Sequence, residues 1–114
     1  MGVISFTSCD LLLERNEAVY IKPGTSTTKY LGINTNNVEI VEKPVLFKIE
    51  KYNNYYLIRN TSNNKVLTVE SLTSEANVIV ADYQNLDTQK WQIEQVSNTI
   101  YKIKINNFVS KLLY

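Results

Sequence analysis

Thr88-Gln89-Lys90-Trp91-Gln92-Ile93-Glu94 holds the only Trp of the chain. Its residues alternate as a strand does. Trp91 and Ile93 fall on one face, and Lys90, Gln92 and Glu94 on the other. The same beat recurs at Phe47-Lys48-Ile49-Glu50 and at Leu11-Leu12-Leu13-Glu14. Each time a large apolar residue, a spacer, Ile or Leu, and Glu follow one another.

Three further markers travel with this one. Ile followed by a basic residue occurs at Ile21-Lys22, Ile58-Arg59 and Ile103-Lys104. Lys-x-Leu occurs at Lys29-Tyr30-Leu31, Lys65-Val66-Leu67 and Lys111-Leu112-Leu113. A Val-x-apolar run occurs at Val38-Glu39-Ile40 and Val78-Ile79-Val80. From the motif Glu to the next marker Ile is 7, 8 and 9 residues, for Glu14 to Ile21, Glu50 to Ile58 and Glu94 to Ile103. Short strands with turn signals between them indicate an all-β sandwich or barrel. The markers divide it into units of about 15–51 and 52–96, with a third made of 97–114 plus 1–14. That is twelve short strands in one closed, pseudo-threefold domain. Val3 to Phe6 is expected as a third strand and Leu11 to Glu14 as a fourth, so the chain would be circularly permuted. A unit of this size cannot bury its apolar face alone, but three can, and closure removes open edges. The rivals are a helix over Leu11 to Glu17, and a swapped homodimer in which a partner supplies the missing strands.

Composition narrows the function. The formal net charge is +1, with no run of Lys or Arg, so electrostatic binding to nucleic acid or membrane has no support. The first residues lack a basic region and are interrupted by Asp10, so neither a signal peptide nor a membrane span is expected. Cys9 is the lone cysteine, which excludes an internal disulfide and favours a reduced, intracellular setting. The chain has no His, the commonest general base and metal ligand. Cys9 has no evident base, and no metal-ligand spacing or phosphate loop occurs. Catalytic residues, metals and cofactors are therefore expected to be none.

Gln89-Lys90-Trp91, near the end of a β unit of about 40 residues, resembles the Gln-x-Trp repeat signature of ricin-B-type β-trefoil lectins. The likeness runs from Tyr56-Leu57-Ile58-Arg59-Asn60 through Lys65 to Val69 and Val78 to Val80 to Ile93. The resemblance implies a six-stranded barrel capped by three hairpins. Trp91, Phe47 and Leu11 would meet near the axis with Ile93, Ile49 and Leu13. Burying Trp91 would be worth about 2–3 kcal/mol.

The resemblance also implies where sugar would bind: an Asp on the second strand, an aromatic after the third, and an Asn or Gln in the next loop. Here the Asp position holds Thr68 in the second unit, Gly32 in the first and Tyr114 in the third. The second unit keeps Thr68, Asp82, Tyr83 and Asn85 as a degenerate site. Eight Tyr are many for this length, and Tyr52, Tyr55, Tyr83 and Tyr101 lie at unit edges and loops, where Tyr serves interfaces well. Asn60-Thr61-Ser62 is a glycosylation sequon that matters in a secreted chain. Two functions follow. One is a non-catalytic binding module for carbohydrate or glycoprotein. The other is a protein-binding trefoil, an inhibitor or assembly subunit, using the loops Glu70 to Asn77 and Asp82 to Thr88.

Overall fold

A computed structural model describes residues 4–6, 18–23, 28–72, 76–95, 97 and 100–105. Eleven strands are found among them. They are β1 (Ile4–Phe6), β2 (Ala18–Val19), β3 (Ile21–Pro23), β4 (Tyr30–Asn34), β5 (Asn37–Val41), β6 (Phe47–Lys51), β7 (Tyr56–Asn60), β8 (Val66–Val69), β9 (Val78–Ala81), β10 (Trp91–Gln95) and β11 (Ile100–Ile105). A short 3₁₀ turn, Asp87–Gln89, precedes β10. The strands are rich in Val, Ile and Tyr, whose branched or flat side chains suit a pleated, half-buried surface. All are antiparallel to their neighbours, and the fold is a β-trefoil.

Pairing runs in a closed circuit. β1 pairs with β11, β11 with β10, β10 with β7, β7 with β6, β6 with β2, and β3, one residue on from β2, pairs back with β1. The register repeats three times around this barrel. Phe47 stands opposite Val19 on one side and Asn60 on the other. Trp91 stands opposite Tyr56 and Ile105. Ile4 stands opposite Tyr101 and Pro23. Val19, Tyr56 and Tyr101 each lie two residues before a marker Ile. The marker isoleucines Ile58, Ile103 and Ile21 in turn face Ile49, Ile93 and Phe6. The third copy of the barrel motif is thus Ile4-Ser5-Phe6, which pairs as a fourth strand and not as the third strand expected of Val3 to Phe6, in the place expected for Leu11 to Glu14. Leu11 and Leu13 lie outside the described residues.

Two hairpins cap the barrel among the described residues. Leu31 opposes Ile40 in β4–β5, and Leu67 opposes Val80 in β8–β9, so the second and third markers form matching cross-strand pairs. The hairpins are tied together by the Asn37–Ile79 bridge and by Asn77 Nδ2, which donates to Asn37 Oδ1 at 2.7 Å. Barrel and hairpin residues share one core, with Ile21, Ile58, Ile103, Leu31, Leu67, Phe47, Ile49 and Trp91 all buried. The Trp91 indole Nε1 donates to the Leu67 carbonyl at 3.0 Å, so the largest core side chain also loses no hydrogen bond. Ile93 is only half-buried and packs on the edge of this core.

Candidate functional site

Gln89 is 1% exposed, which for an amide demands partners on every side. It has them. Its Nε2 donates to the Asp82 carbonyl at 2.8 Å and to Thr68 Oγ1 at 3.2 Å. Its Oε1 accepts from the Gln84 N–H at 2.9 Å and the Leu86 N–H at 3.4 Å. One side chain therefore fastens the loop after β9 to the face of β8. The 3₁₀ turn places Gln89 inward, and the extended Lys90 lets Trp91 point into the core two residues on.

The four residues expected to contact sugar are divided by this arrangement. Thr68 is buried, and its hydroxyl donates to the Val66 carbonyl at 3.0 Å while accepting from Gln89. It supports the loop from beneath. Asp82 and Asn85 are exposed and Tyr83 is half-buried. The Tyr83 hydroxyl donates to Asn85 Oδ1 at 3.0 Å, and Asn85 has a positive φ of 58°, a conformation Asn tolerates well. The loop thus presents an aromatic ring, a primary amide and a carboxylate together. A hydrogen bond to Tyr55, then burial, pushes the Tyr83 phenol up to about 12.

The first unit offers no side chain at the position matching Thr68. Gly32 occupies the position matching Thr68, and a Cβ there would overlap Val41 Cγ2 and sit 3.3 Å from the Lys43 carbonyl. No side chain can project from that position without displacing the Val41 side chain. Tyr114 lies outside the described residues. The sequon Asn60 is also unavailable, being buried with its Oδ1 accepting from the Ser62 N–H and hydroxyl, both at 3.1 Å.

Tyr83 leads into a second aromatic group. Tyr52 and Tyr55, at the two ends of the β6–β7 turn, stack with centroids 5.2 Å apart and planes 17° apart. The turn is closed by the Tyr52 N–H donating to the Tyr55 carbonyl at 2.9 Å. Lys90 Nζ lies 5.0 Å from the Tyr55 centroid, within cation–π range. Glu50 accepts both Arg59 Nε and Nη2 at 3.1 Å, a bidentate pair, and also the Tyr52 hydroxyl at 3.3 Å. The Glu50 hydrogen bond holds the Arg59 guanidinium above its ordinary range. Burial, then the Glu50 charge, raises Tyr52. Tyr101, grouped in the sequence with the edge and loop tyrosines, is fully buried, and it stands at the barrel position of Val19 and Tyr56, opposite Ile4. Among the described residues no group of three His, Cys, Asp or Glu could hold a metal ion, and no helix is long and apolar enough to cross a membrane.

Gln89 and Trp91 are thus both buried within a β-trefoil. Residues 45–113, more than half of the chain, match the family described as ricin-type beta-trefoil lectin domain-like. The chain belongs to that family. No curated protein matches it.

Proposed function

We propose that the chain is a non-catalytic carbohydrate-binding module whose sugar site, reduced from the family pattern, lies on the Asp82–Asn85 loop. One observation carries this reading: Gln89 fixes the loop from within, so that Tyr83, Asn85 and Asp82 are set before any ligand arrives. An aromatic face suits the C–H side of a pyranose, while amide and carboxylate groups suit its hydroxyls. Thr68 serves by holding Gln89. Preorganisation of this kind lowers the entropy cost of binding. The absence of His from the sequence supports a role without catalysis.

A glycan array tests the proposal. Binding to at least one glycan class, lost in Tyr83→Ala, is the expected result. A blank array would favour a protein-binding trefoil, for which the exposed Leu86 on the same loop is the supporting observation.

A further inference from the structure

β6 and β7 pair along their length, but β7 and β10 meet at the single register position Trp91–Tyr56. No other register pair joins these two strands. Between the β6–β7 turn and the start of β10 lies a groove of ≈ 450 Å³. That is within the range of small-ligand sites, roughly 300–1,000 Å³. Tyr52 and Tyr55 line it from the turn, Gln92 and Glu94 from β10, and half-buried Ile93 lies between these two.

We infer that this groove is a second saccharide site, separate from the Asp82–Asn85 loop, that takes a neutral pyranose ring. The sugar class rests on the lectin reading above; the groove itself does not. A pyranose offers one apolar face and a rim of hydroxyls that both donate and accept. Tyr52, 44% exposed, supplies an aromatic surface. The Asn53 and Gln92 amides donate and accept, and the Glu94 carboxylate accepts. Glu94 is held only loosely by Lys104, at 3.8 Å, and 60% of its side chain is exposed, so it is open to hydroxyl donors. The groove's two lysines, Lys51 and Lys104, both have protein partners, which argues for a neutral rather than an anionic ligand. The aromatic wall is rigid. Tyr52 is tethered at its backbone to Tyr55 and at its hydroxyl to Glu50, which Arg59 holds with two hydrogen bonds.

The test is a titration of the ¹⁵N-labelled chain with methyl galactoside, methyl glucoside, methyl mannoside and methyl N-acetylglucosaminide. The expected result is saturable shifts of the Asn53 and Gln92 side-chain amides with at least one probe. Tyr52→Ala should weaken that response about tenfold or more, and Gln92→Ala, at an exposed strand position, should weaken it without altering the fold. Asp82→Ala, on the other loop and with an exposed side chain, should leave it intact. Shifts confined to Asn85 and abolished by Tyr83→Ala would overturn the groove while sparing the loop site. Silence at Asn53 and Gln92 with every probe would overturn it as well. An array that binds while the groove stays silent separates the two failures.

Discussion

Gln89 Nε2 donates to Thr68 Oγ1 across 3.2 Å, joining residues 21 apart in sequence. The bond makes Thr68 part of the scaffold that holds the Asp82–Asn85 loop. The proposed sugar site therefore depends on a residue with almost no exposure.

Replacing Gln89 with Ala should leave the Gln84 and Leu86 N–H groups, the Asp82 carbonyl and Thr68 Oγ1 each short of a partner. Leaving buried polar groups unpaired costs about 1–3 kcal/mol each, less wherever water can enter. A total loss of about 2–3 kcal/mol is expected in urea unfolding. Amide exchange at Gln84 should quicken, and glycan binding should fall although Gln89 touches no ligand.

Gly32→Ala should destabilise the first hairpin by about 1–3 kcal/mol, the usual cost of overpacking. Thermal unfolding of the single variant, and of Gly32→Ala with Val41→Ala, measures this. The double variant should recover part of the loss, because Val41 Cγ2 is the atom a Cβ would meet. For the same reason, placing Asp at position 32 should not create a sugar site.

Tyr83 sets a pH dependence. Its folded pKa, about 12, lies above the ordinary 10.0. The neutral phenol is the form the fold favours, so this contribution is fully present below pH 10.0 and disappears as pH rises through about 12. Spectroscopic titration should show the Tyr83 phenolate forming late, near pH 12, and Tyr55→Phe should bring it down toward its ordinary value, since Tyr55 is the first cause of the shift.

Ser5→Pro tests the barrel's closing strand. Ser5 pairs with Lys22 on one side and Ile100 on the other. Proline removes the N–H that an inner strand gives to its ladder. A loss of about 1–3 kcal/mol, faster exchange in β3 and β11, and a greater tendency to aggregate through exposed edges are expected.

Much of this architecture could be read from residue order, and the exceptions have physical causes. The marker isoleucines and the Lys-x-Leu pairs were visible because barrel and hairpin positions demand the same apolar residues at the same spacing. Ile4-Ser5-Phe6 was not visible as a barrel motif. It ends without Glu, and it places the smaller apolar residue first, where Phe47 and Trp91 place the larger. Leu11-Leu12-Leu13-Glu14 matches the pattern in letters and so drew the assignment. The family resemblance singles out Thr68, Asp82, Tyr83 and Asn85 as a candidate sugar site, but nothing in the sequence tells that Thr68 faces a buried amide. The Tyr52–Tyr55 groove depends on how β7 and β10 pair, a three-dimensional fact with no local signature. Tyr101 shows the same limit: its exposure is decided by register against β1.

The β1–β11 seam also has a temporal consequence. Ile4 and Tyr101 are neighbours in space at opposite reaches of the described chain. Loop-closure entropy rises with separation, by about 0.6 kcal/mol per doubling. The β4–β5 hairpin, by contrast, forms across a two-residue turn. On the ribosome the hairpins and the β6–β7 and β10–β7 contacts can form as their residues emerge, but β1 must wait unpaired by β11 until nearly all of the described chain has been made. The seam would be the last step of folding and the slowest, and until it forms the nascent barrel carries two bare edges that a chaperone or a neighbouring chain can reach.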